Sequence, residues 1–178
     1  METGQKLFNF SLQGVDGKKY TKYDFADKFA MVIIITCNHC PYAQAYWKRL
    51  TKLYARYEDD SLAMIAINPN NEVTYPQDNF ENMVRLADQK KLAFPYLRDH
   101  KQTFTHKLGA TKTPEAFVFN SKRELVYQGA IDDNWESPEM VTHVYLEDAI
   151  EDALDGVDVD FPYKAPTGCS VKWKEKFQ

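Results

Sequence analysis

Basic charge is not in excess in this chain. Its 22 lysines and arginines stand against 26 aspartates and glutamates, a net charge of −4, which argues against a nucleic-acid partner because phosphate binding relies on a positive surface. Long apolar runs are also missing. The longest, Met31 to Ile35, is far below the length of a membrane span, and the first twenty residues never gather the apolar core of a signal peptide. The chain is therefore expected to be cytoplasmic, with no membrane partner. Structural disulfides are uncommon in that compartment, and paired cysteines there point to catalysis or metal binding. Cysteine itself is scarce, with three in 178 residues. Internal repeats and low-complexity linkers are absent, and the length suits one domain over residues 1–178, with its core at about 28–156, an N-terminal hairpin at 6–23 and a tail at 157–178. The acidic stretch from Glu147 to Asp160 and the lysines that follow it (164, 172, 174, 176) read as a solvated helix face and a basic tail.

What is present is strongly patterned. Leu7, Phe8, Phe10 and Leu12 precede an Asp16-Gly17 turn signal, which predicts the hairpin. Val32 to Thr36 and Leu62 to Ile67 are continuous apolar runs, as strands buried on both faces require. Between them, Ala43, Trp47, Leu50, Tyr54 and Tyr57 recur at helical spacing, so a helix from about Cys40 to Tyr57 completes a βαβ unit. The spacing predicts further helices over Gln77 to Lys90 and Gln102 to Leu108, the latter closed by Gly109. Two adjacent strands, TPEAFVFN and RELVYQGAI, follow, and a last helix begins at Ser137-Pro138 and ends before Gly156.

Two of the three cysteines, Cys37 and Cys40, stand where the first buried strand gives way to the helix. Unpaired N–H groups and the helix dipole favour negative charge there, which lowers a thiol pKa and makes the sulfur nucleophilic. The expectation is that Cys37 sits at the helix start and attacks, while Cys40, one turn inside, resolves. Zinc or copper carriage through the two thiolates, a structural disulfide and two inert core thiols are the competing readings of the same residues. A metal site finds no usual spacing in Cys169 or in the scattered histidines, of which His100, His106 and His143 read as polar surface residues.

TCNHCPYA after a buried strand, the later TPEAFVF, the order of elements and the closing PTGCSVKWK together resemble the thioredoxin fold, in its peroxiredoxin-like, thioredoxin-domain (AhpC/TSA-redoxin-like) branch. The resemblance covers about Lys6 to Lys174. It implies a central mixed β-sheet flanked by helices, with the N-terminal hairpin and a helical insertion around residues 76–92. It also implies thiol-disulfide exchange through Cys37 and Cys40, with no cofactor. Partners would be protein or small-molecule disulfides and thiols and an electron-donating reductase. Thr113-Pro114 matches the family's cis-proline, which faces the redox pair; Thr36, Asn38, His39 and Pro41 frame it. Met31 stands where thioredoxins carry a buried aspartate, with Glu115 a possible substitute or else an exposed strand-end charge. Ile34 replaces the threonine of peroxidases, so peroxide chemistry, with Cys37 as a sulfenic acid, is the lesser alternative. His39 either stabilises the Cys37 thiolate or lies free in solvent. For Cys169 the choices are a buried inert thiol, a surface thiol or a third redox residue. Its alternation with Val171 and Trp173 favours the first.

Overall fold

The computed structural model describes residues 1–177. Its centre is β3 (Ala30–Ile35), whose residues are all buried because both of its faces are covered. Strand β4 (Leu62–Asn68) pairs with it in parallel through the crossover helix α1 (Pro41–Tyr57), and β7 (Glu115–Phe119) pairs antiparallel on its other side. The hairpin is formed by β1 (Ser11–Gly14) and β2 (Lys19–Thr21), as the Asp-Gly turn predicts. It joins the sheet through β5 (Tyr96–Arg98). On the far side β8 (Leu125–Gly129) leads to a two-residue strand, β9 (Tyr163–Lys164), and the sheet order is β2-β1-β5-β4-β3-β7-β8-β9. A separate two-stranded ladder pairs β6 (Lys112–Thr113) with β10 (Cys169–Ser170).

Alternation along β3 divides the core. Ala30, Val32 and Ile34 face one layer with Trp47 and Leu50 of α1 and Leu146 and Ile150 of α4 (Tyr145–Asp155). Met31, Ile33 and Ile35 face the other, with Phe104 and Leu108 of α3 (Thr103–Leu108), Leu7 and Val171. Each fully buried isoleucine contributes about 1.5–3 kcal/mol, so the strand that leads to the cysteines is firmly held. Met31 is a core residue, with no acid in its place.

Two expected helices differ. The segment predicted over Gln77 to Lys90 is a 3-10 turn, Pro76–Asp78, followed by α2 (Phe80–Lys90), because Asn79 takes the N-cap and its side chain accepts from Asn82 N at 2.8 Å. This inserted helix serves as the crossover between the parallel strands β4 and β5, the latter missed in the sequence. The last helix does not begin at Ser137-Pro138. That stretch makes only the short turn Pro138–Met140, and Val141 is extended. Asp133 Oδ1 accepts from Thr142 N at 2.9 Å and holds the intervening loop out of helical geometry, so α4 starts at Tyr145. Among the described residues no helix is long and apolar enough to cross a membrane.

Candidate active site

The chain leaves β3 through Thr36, whose N–H donates to Ile67 O at 2.9 Å, and then crosses residues 37–40 to reach α1. This crossing is fastened from beneath by one buried carboxylate, Asp78. Its Oδ1 accepts from Asn38 N at 2.7 Å, and its Oδ2 accepts from Asn70 Nδ2 at 2.8 Å and is bonded to His39 Nδ1. Asn38 is itself pinned, donating to Gln77 O and accepting from Tyr96 Oη at 2.8 Å. His39 stacks on Tyr75, with ring centroids 5.6 Å apart. It is thus neither free in solvent nor bonded to a cysteine. Asp78 was lost in the sequence inside a predicted helix, although the pattern Pro76-Gln-Asp-Asn-Phe80, with two capping residue types together, carried the signal of a turn.

Cys40, not Cys37, stands at the helix start. It is the N-cap of α1 with extended φ/ψ of −64° and 126°, and Pro41 takes the first helical position. Cys37 lies earlier in the crossing, its Sγ 3.5 Å from Thr113 Oγ1, and both sulfurs are fully buried. The expected order of acidity is therefore reversed. The Cys37 thiol donating to it pulls the Cys40 pKa from 9.0 down to about 4. Cys169 and the first-turn N–H of Ala43 assist, while burial opposes. Cys37 is pushed well up, first by giving its proton to Cys40, then by burial and the Asp78 charge. In its thiol form Cys40 donates to Thr113 O at 3.4 Å.

The Thr113–Pro114 peptide bond is cis and lies against the two sulfurs. Glu115 follows, but it is not an exposed strand-end charge: it is buried, and its carboxylate accepts from Thr111 N, Lys112 N and Gln128 Nε2 at 2.8, 3.1 and 2.9 Å. These bonds hold the turn before the proline. Cys169 also departs from the expected buried thiol. It is partly exposed, and its Sγ is 2.6 Å from Cys40 Sγ, although 129 residues separate the two in the chain. Burial and the neighbouring Cys40 raise its pKa to about 11.

The model of the AhpC/TSA family matches residues 3–128. The chain belongs to the AhpC/TSA family. An uncharacterized conserved protein from Geobacillus kaustophilus, of known crystal structure, is 32% identical, with 98% of this chain and 93% of that one covered and a TM-score of 0.92. A thiol:disulfide interchange protein of the thioredoxin family from Chlorobium tepidum TLS is 13% identical over 86% of this chain and 98% of that one, with a TM-score of 0.67, which shows the thioredoxin-like fold. The thiol-disulfide oxidoreductase ResA of Halalkalibacterium halodurans is 23% identical over 123 residues, 69% of this chain; the match spans 65% of that protein's length. The family match stops before Cys169, so the tail's sulfur enters the site from outside the matched region.

Metal-ligand atoms of Cys37, His39 and Asp78 lie within 4.8 Å of one another. Both Asp78 oxygens already accept from amides, and His39 uses Nδ1 to reach Asp78. The cluster therefore acts chemically as a hydrogen-bonded brace beside the sulfurs. His100 and His143 are exposed and pair with Glu72 and Asp133, while His106 stacks on Phe177 in the tail.

Proposed function

We propose that the chain is a thiol-disulfide oxidoreductase acting on protein or small-molecule disulfides, with Cys40 as the attacking sulfur and Cys37 as its internal partner. The observation that carries this reading is the N-cap position of Cys40, where Cys37 and the first turn of α1 both stabilise its thiolate. The roles expected from the sequence are thereby exchanged. Cys40 S⁻ attacks one sulfur of a substrate disulfide, and the other substrate sulfur leaves as a thiolate. Forming the mixed disulfide removes the Cys40 charge, which is the largest reason Cys37 holds its proton. Cys37 then gives its proton to the substrate thiolate already released, attacks Cys40 Sγ and expels the second substrate thiolate. The product is a Cys37–Cys40 disulfide and a substrate reduced by two electrons. An external dithiol, the reductase partner, returns the pair to its starting state.

Reduction of insulin disulfides with dithiothreitol as donor tests the proposal. Turnover should depend on Cys40, and a variant carrying both Cys37→Ser and Cys169→Ser should accumulate a mixed disulfide at Cys40. Rapid consumption of hydrogen peroxide without disulfide reduction would overturn this reading in favour of a peroxidase, and a mixed disulfide trapped at Cys37 in the Cys40→Ser protein would restore the original roles.

A further inference from the structure

Of the three sulfurs at the site, only that of Cys169 belongs to a residue with part of its surface in solvent. Its position is built by the rest of the tail. Cys169 pairs with Thr113 across the β10–β6 ladder, and Val171 N donates to Thr111 O at 3.1 Å to extend the pairing. Beyond it, Lys172 N donates to Asn70 Oδ1 at 3.0 Å, Gln102 Nε2 donates to Lys172 O at 2.8 Å, and Lys174 N donates to Gln102 Oε1 at 2.8 Å. Asn70 and Gln102 are buried, and Gln102 is held at a φ of 61°, a left-handed conformation that costs a non-glycine residue free energy. Just before the cysteine, Gly168 lies against the Thr113–Pro114 backbone: a Cβ there would come within 2.4 Å of Thr113 O and 2.8 Å of Thr113 C. Only glycine allows the tail to lie this close, and this approach is what sets Cys169 Sγ 2.6 Å from Cys40 Sγ.

We infer that Cys169 is a third redox thiol, which takes the disulfide from the buried Cys37–Cys40 pair and presents it to an external reductant as Cys40–Cys169. The inference rests on the exchange reading above. In the first step the Cys169 thiolate attacks Cys40 Sγ. The Cys40–Cys169 bond forms, the Cys37–Cys40 bond breaks and Cys37 leaves as a thiolate that takes up the proton Cys169 gave, so the step is an isomerisation without net oxidation. In the second, a thiolate of an external dithiol attacks the partly exposed Cys169 sulfur, and Cys40 leaves as the thiolate its N-cap position stabilises. The second thiol of the reductant then resolves the mixed disulfide at Cys169. Two electrons enter, the reductant becomes a disulfide, and all three cysteines are reduced. The arrangement gives the external reductant a partly exposed sulfur at which to return the site to its reduced state.

Full-length wild-type protein and the Cys37→Ser and Cys169→Ser variants, equilibrated in mixtures of reduced and oxidised glutathione, quenched with acid and mapped by peptide mass spectrometry, test this. Monomeric Cys37→Ser should lose two free thiols and yield a Cys40–Cys169 peptide. Cys169→Ser should form Cys37–Cys40, and that bond should be reduced by dithiothreitol several-fold more slowly than the wild-type disulfide. If Cys37→Ser keeps both thiols while Cys169→Ser forms its disulfide, the relay is wrong and the exchange reading stands. If neither variant forms an internal disulfide, both fail. If only Cys40–Cys169 forms, the relay has no donor and falls together with the Cys37–Cys40 pair. Equal reduction rates for wild type and Cys169→Ser would also overturn the exit role.

Discussion

The two sides of Cys40 are built in opposite ways. Towards Cys37 lies a brace in which Asp78, Asn38, Asn70 and His39 satisfy one another in a buried network. Towards Cys169 lies a two-residue ladder that brings its sulfur and its backbone against Cys40. The braced side holds a backbone crossing in place while sulfurs change their bonds; the ladder side brings in a sulfur that is partly exposed. A redox site needs both properties, because disulfide formation requires preset geometry and its reduction requires access.

The sharpest break in this comparison is removal of the sulfur that both sides share. Cys40→Ser should lower the rate of insulin reduction at least about 1,000-fold, roughly 4 kcal/mol of transition-state stabilisation, and should leave neither Cys37 nor Cys169 with an internal disulfide partner at the helix start. Next in size, Asp78→Ala strips acceptors from several buried donors and should destabilise the fold by about 3 kcal/mol in urea unfolding, with Asp78→Asn costing less. A loss under about 0.5 kcal/mol would mean that the brace does not hold the crossing.

Charge separates the sides as well. Cys40, held low by the Cys37 thiol that donates to it, should already be a thiolate at neutral pH, so its alkylation rate, followed by mass spectrometry, should stay flat between about pH 6 and 8. Cys169, raised to about 11, stays a thiol there, and its rate should climb about 100-fold over the same interval. A Cys40 rate that climbs in parallel would place both thiols on one footing. Gly168→Ala should cost about 1–2 kcal/mol of stability by forcing the tail off Thr113, and in redox mapping it should diminish the Cys40–Cys169 species while sparing Cys37–Cys40. The smallest effect belongs to His39→Ala. Its ring touches Asp78 and Tyr75, not a sulfur, so unfolding should shift by about 1 kcal/mol or less with insulin reduction nearly unchanged.

Much of the frame was legible in the residues. The uninterrupted apolar run of β3, the helical spacing from Ala43 to Tyr57 and the Asp16-Gly17 turn are local patterns, and local patterns report strands, helices and hairpins directly. Two cysteines at a strand-to-helix junction also marked the site. Their places were misread because Cys37 was put at the helix start; Pro41, a residue favoured at the first helical position, pointed to Cys40 as the cap. The placements of Asp78 and Cys169 were beyond reach for a different reason. Asp78 meets the crossing through a bond to a residue forty positions away, and Cys169 meets it through a ladder to Thr113 across the chain. No period in a short window encodes either pairing.

The edges of the sheet bear on how the protein meets copies of itself. The strands at its two ends, β2 and β9, are three and two residues long, and β9 is locked against Gly129, whose missing side chain lets Lys164 O approach where a Cβ would stand. Such short margins offer a second molecule almost no unpaired backbone to extend a ladder upon. Crosslinking between copies under oxidising conditions is then left to sulfur chemistry at Cys169, and a reducing agent should dissolve such dimers completely.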